Sequence, residues 1–106
     1  MSRGDLVTIA VSGDYGKSRP ALVIQSDAFE SLPSVIVLPL TSEIHDAALF
    51  RITVSPGMGT GLKKQAQVMV DKATTVPRAR IGARIGQLDA ATMDAVGLSL
   101  RRFLGG

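Results

Sequence analysis

The sequence predicts a mainly β fold: a small barrel or curled sheet with short helical turns and one C-terminal α-helix packed on it. Short β-branched runs recur along the chain, separated by clusters of Gly, Pro, Ser and Asp. Only the last segment repeats its apolar residues at three- and four-residue spacing, which is the helical signature. At 106 residues, with no internal repeat, low-complexity tract or linker, the chain reads as one domain over residues 1–106 with one core.

Residues 6–11, from Leu6 to Val11, alternate as a first strand, ended by a loop over 12–18 in which Gly13 and Gly16 can take positive φ. Pro20 opens a second strand over 21–25, where its missing N–H does little harm. Residues 26–30 suit one helical turn capped by Ser26 or Asp27. Residues 35–41 are almost continuously apolar, as in a strand buried on both faces, but Pro39 demands a bulge or a free edge. A half-wet strand over 49–54 leads into a Gly-rich turn over 55–61, and the next strand covers 66–70. A turn after Pro77 precedes a strand over 81–88 loosened by Gly82 and Gly86. In the terminal helix Asp89 can cap, Met93, Val96, Leu100 and Leu104 make one apolar stripe, and Gly105 supplies a stop. Arg101 and Arg102 sit in the last turn, where cations suit the helix dipole.

Composition excludes several classes. With no Cys there is neither disulfide nor thiolate metal site, so the expected compartment is the reducing cytoplasm. The N-terminal residues lack a signal-peptide pattern, and no apolar run reaches the roughly 18 residues of a membrane span. The formal net charge is +3, unevenly spread. Residues 1–62 hold Arg3, Lys17, Arg19 and Arg51 against six acids, whereas from Lys63 onward eight cations face only Asp71, Asp89 and Asp94. On charge alone this is first of all a solvated surface; gathered on one face, the same residues make a positive field for a polyanion.

The chemistry on offer is sparse. His45 is the single histidine, with no second His or Cys to build a metal site, and reads as a loop residue. Gly57, Gly59 and Gly61 lack the following Lys-Ser/Thr of a phosphate-binding loop. No carboxylate pair has a spacing that suggests glycosidase or two-metal chemistry. What remains is Arg19 at a strand entrance and Thr41, followed by Ser42, at a strand end; on their own these are an exposed cation and an ordinary β-former.

Their context carries more. Residues 3–7 (Arg-Gly-Asp-Leu-Val), 18–24 (Ser-Arg-Pro-Ala-Leu-Val-Ile) and 35–42 (Val-Ile-Val-Leu-Pro-Leu-Thr-Ser) resemble, in order and spacing, the three N-terminal signatures of the MazF/PemK toxins. Gly61-Leu62-Lys63-Lys64 with Val68-Met69-Val70-Asp71, and Ile85-Gly86-Gln87-Leu88, resemble the C-terminal signatures, so the likeness covers nearly the whole chain. It implies an SH3-like, CcdB-like small β-barrel that dimerises. It further implies the toxin of a type II toxin–antitoxin system, cutting single-stranded RNA without metal or other cofactor, often at a short sequence, and leaving a 2′,3′-cyclic phosphate.

By position, Arg19 and Thr41 match the family's catalytic pair. A planar guanidinium can hold two non-bridging phosphate oxygens as charge grows on them, and the Thr41 hydroxyl can donate to the same oxygens. Arginine is a poor general base, so the base stays open. Tyr15, Lys17, Ser42, Gln65 and Lys72 are the expected substrate contacts, Tyr15 by stacking a base or else plugging the barrel. Lys72 stands where many relatives carry Gln, and the loop over 12–18 is short for the family; both departures bear on the cut sequence. The expected partner is an acidic antitoxin tail that folds on binding. Two alternatives are a CcdB-like gyrase poison, disfavoured because the chain ends Phe103-Leu104-Gly105-Gly106 with no Trp, and a non-catalytic SH3-like RNA-binding module.

Overall fold

The computed structural model describes residues 1–10, 17–46 and 49–106. Along the chain run β1 (Asp5–Ala10), β2 (Ser18–Val23), a 3-10 turn (Asp27–Phe29), β3 (Ser34–Thr41), β4 (Arg51–Val54), β5 (Ala66–Met69), a 3-10 turn (Val70–Lys72), β6 (Thr74–Pro77), a 3-10 turn (Arg78–Arg80), β7 (Ile81–Gln87) and α1 (Ala90–Phe103). The strands pair antiparallel in the order β4-β5-β3-β2-β1-β7, with β6 also on β3. The sheet curls without closing, since β4 and β7 remain its two ends.

Successive residues of the central strands enter different apolar clusters. Leu6, Leu22, Leu38 and Leu40 join Val68, Val70 and the α1 residue Val96 in one. Val7, Ala21, Val23, Val35 and Val37 join Val76 in the other, with Ile81 against them. The sheet thus divides the expected core in two, and β3 sends buried residues into both clusters, although Ile36 in its middle is 41 % exposed. Each fully buried Val or Leu contributes about 1.5–3 kcal/mol, so the three central strands form the rigid part of the scaffold.

The two prolines are placed by their missing N–H. Pro20 pairs with Thr8 of β1, while the β3 ladder begins only at Ala21. Pro39 lies where β3 changes its second neighbour: residues 34–37 pair with β6, and Leu40 and Thr41 with β5. The free edge it demands is this gap between two partners. β6 is a strand that periodicity misses. Thr74–Pro77 is only four residues long and ends in Pro, yet it covers the edge left by the first half of β3 and buries Val76.

Further differences lie at element ends. β4 starts at Arg51, with Leu49 77 % exposed, because the Leu49 carbonyl accepts instead from the Ser99 hydroxyl of α1. Leu104 leaves the predicted stripe: it is the C-cap of α1 and 73 % exposed, whereas Met93, Val96 and Leu100 pack inward. The helix starts at Asp89, whose carboxylate accepts from the Thr92 N–H at 3.4 Å. It stops at Gly105, φ +86°, where the N–H groups of Gly105 and Gly106 donate to the carbonyls of Arg102 and Arg101. Among the described residues no helix is long and apolar enough to cross a membrane.

Candidate active site

The site grows out of the place where the β2–β3 ladder ends. Its last rung joins Ala21 to Pro39, and Arg19 and Thr41 each lie two residues beyond that rung, on the neighbouring ends of β2 and β3. On its other side Thr41 is the last β3 residue paired with β5, opposite Gln67. Beyond it the chain turns sharply: the Glu43 N–H donates to the Thr41 hydroxyl oxygen at 3.1 Å. A hydroxyl that accepts in this way keeps its proton to donate, which suits it to an anionic oxygen.

A third segment completes the concavity. The turn between β4 and β5 folds back across the sheet, and the Gln87 N–H at the end of β7 donates to the Gly59 carbonyl at 3.0 Å. Two glycines permit this contact. A Cβ on Gly86 would sit 2.3 Å from the Thr60 backbone, and one on Gly61, φ +70°, would sit 1.9 Å from the Ile85 carbonyl oxygen. The Thr60 hydroxyl ties the turn internally, donating to Ser55 O and accepting from the Leu62 N–H. The turn thereby delivers Leu62, Lys63 and Lys64 to the groove.

The resulting groove has a volume of about 500 Å³ and is lined by Lys17, Ser18, Arg19 and Pro20, by Leu40, Thr41 and Ser42, and by Leu62, Lys63, Lys64 and Ala66. Among the described residues four cations and no carboxylate line it, so field lines from the cations converge in a concave, partly apolar space. Such a surface attracts a flexible polyanion and offers hydroxyls and a guanidinium to one of its phosphates.

Of the residues singled out in the sequence, Arg19, Thr41, Lys17 and Ser42 line this groove. Gln65 is exposed beside the lining residues Lys64 and Ala66. Lys72 is exposed on the Val70–Lys72 turn and does not line the groove. Tyr15 lies outside the described residues. The His45 side chain is 52 % exposed, with Glu43 at 4.0 Å. Among the described residues no group of three or more His, Asp or Glu side chains is placed to hold a metal ion. Sequence reasoning left Lys63 and Lys64 out of the site; their charge was visible, but the fold-back of the turn that carries them was not.

Residues 2–104 match the family described as the PemK-like, MazF-like toxins of type II toxin–antitoxin systems. It is 44 % identical over 106 residues to the probable endoribonuclease MazF of Mycolicibacterium smegmatis, covering 99 % of this chain and 97 % of that protein. In fold it is similar to MazF in the crystal structure of MazE-MazF from Deinococcus radiodurans, with TM-score 0.82, 23 % identity, and 99 % and 96 % of the two chains covered. It is similar too to an endoribonuclease in complex with its cognate antitoxin from a mycobacterial species, with TM-score 0.79, 21 % identity, and 99 % and 95 % covered. A family match over nearly every residue, with the same fold around a basic groove, places the chain among the PemK-like, MazF-like toxins of type II toxin–antitoxin systems.

Proposed function

We propose that the chain is an endoribonuclease toxin that cleaves single-stranded RNA in the groove between β2, β3 and the β4–β5 turn. The observation that carries this reading is the joint presence of Arg19, Thr41 and three lysines in one groove, with no acid among the described residues that line it. The lysines hold the strand by its phosphates. The 2′-hydroxyl attacks the adjacent phosphorus, its proton passes to a base, and the P–O5′ bond breaks as O5′ takes up a proton. The products are a 2′,3′-cyclic phosphate and a 5′-hydroxyl. Charge accumulates on the non-bridging oxygens during this step, and the Arg19 guanidinium and Thr41 hydroxyl stabilise it without serving as the base. Sequence preference, in this reading, comes from groove and loop contacts to the bases, among them Tyr15, Ser42 and Gln65.

The same groove suits an acidic antitoxin tail, which occludes it by occupying the phosphate sites. The relatives seen in antitoxin complexes and the excess of cations support that partner. A cytoplasmic homodimer completes the reading, consistent with a chain without Cys.

The test incubates the purified protein with mixed-sequence RNA in EDTA and maps the ends, then repeats with Arg19→Ala and Thr41→Ala. Cleavage by the wild type that both variants lose supports the reading. Salt-sensitive binding without cleavage, persisting in Arg19→Ala, replaces it with a non-catalytic RNA-binding module.

A further inference from the structure

Gln67 is the one buried amide in a strand of apolar neighbours. It is 2 % exposed, between Ala66 and Val68, which belong to the helix-side cluster. An unpaired carboxamide at such a position is costly, so its partners matter. Its Oε1 accepts from the His45 N–H at 3.0 Å, and its Nε2 donates to the His45 carbonyl at 2.9 Å and to the Thr53 hydroxyl at 3.2 Å. The side chain thus takes both backbone groups of His45, as a neighbouring strand would. The Gln67 backbone, meanwhile, stands opposite Thr41 in the β3–β5 ladder. One residue therefore grips both ends of residues 41–45, the segment that holds Thr41 and Ser42 in the groove and whose Glu43 N–H orients the Thr41 hydroxyl.

We propose that Gln67 is a positioning residue for RNA cleavage: its buried carboxamide, clamped on the His45 backbone, fixes the turn that aims the Thr41 hydroxyl at the scissile phosphate. This rests on the reading that the groove cleaves RNA. Gln67 touches no groove surface itself, so its loss misplaces Thr41 while leaving the lysines that bind the strand. A shift of about 1 Å in a reacting group costs roughly 10²-fold in rate.

Two substitutions in the full chain test the clamp under single-turnover conditions with a short RNA, beside RNA affinity and the thermal midpoint. Gln67→Leu keeps the volume and removes the bonds; the cleavage rate falls roughly 10- to 100-fold, and RNA affinity stays within about twofold. Gln67→Glu gives a readout that packing alone does not. Its carboxylate accepts from the His45 N–H but opposes the His45 carbonyl, whereas the protonated acid donates to that carbonyl again. Burial and the facing carbonyl raise its pKa, so its rate relative to the wild type recovers as pH falls from about 8 to about 5. β3 and β5 carry no ionisable side chain, and β4 carries only Arg51, held by Asp71 at 3.0 Å. Facing the clamp from its other side, residues 43–46 carry exposed Glu43, His45 and Asp46, which are common to both proteins, so the variant is read as a ratio to the wild type.

A ratio for Gln67→Glu that stays flat with pH overturns the proposal, even where Gln67→Leu does not fold. So does a folded Gln67→Leu that cleaves at the wild-type rate. In either case wild-type cleavage stands and the clamp alone fails. A wild-type chain that leaves RNA intact overturns the cleavage reading and the clamp with it.

Discussion

Arg19 and Thr41 reach one groove because each lies just beyond the last rung of the β2–β3 ladder, not because either side chain is unusual. Arg19→Ala and Thr41→Val are each expected to slow single-turnover cleavage by about 10²–10³-fold, the usual cost of removing one preorganised donor. In the proposed reading Lys63 and Lys64 act differently, by holding phosphates. Changing both to Gln is expected to flatten the dependence of log affinity on log salt by about 1.4, or about 0.7 per cation on a single strand, as measured by RNA titration at several salt concentrations. Arg19 and Thr41 stood out in the sequence only through the pattern around them. Gln67 did not stand out at all, because the His45 groups it clamps are backbone atoms 22 residues away and a lone amide in a strand has no periodic signature.

Elements carried their own information unevenly. β1, β2, β3 and α1 declare themselves through apolar runs, proline placement and the Asp89 cap, and α1 stops at the predicted Gly105. β6 does not, since four residues are too few for periodicity and the strand exists because β3 presents an unpaired half. The basic arm of the groove depends likewise on a contact between distant segments, the β4–β5 turn on β7. Gly86→Ala places a Cβ against the Thr60 backbone and is expected to dislodge that turn. RNA affinity should then fall with Lys63 and Lys64 still present, read by the same titration. At the helix, Asp89→Ala removes the cap and should lower stability in urea unfolding.

Across the whole molecule the charge asymmetry seen in the sequence becomes a local one: Lys63 and Lys64 of the cationic second half meet Lys17 and Arg19 of the first in one groove. Two carboxylates anchor the frame around it. For Asp5, burial alone would raise the pKa, but the Ser2 N–H at 2.8 Å and Arg84 at 3.1 Å lower it. For Asp71, burial is likewise outweighed by Arg51, which donates twice at 3.0 and 3.3 Å. Both folded-state pKa values lie below the ordinary carboxylate value, so their contribution is complete above it and is lost as pH falls through the lowered values. Urea unfolding should therefore show constant stability down to about pH 5 and a fall below about pH 4. Asp71→Asn should lose about 1.5–3 kcal/mol at pH 7, a deficit that narrows in acid.

The central claim is that the Arg19 guanidinium and the Thr41 hydroxyl stabilise the same phosphate during cleavage. A double-mutant cycle measured as single-turnover RNA cleavage in EDTA tests it, using Arg19→Ala, Thr41→Val and the pair together. Two groups acting on one phosphorus should give strong coupling, with the double variant scarcely slower than the slower single variant. Losses that multiply independently, or a single variant that cleaves at the wild-type rate, would contradict it.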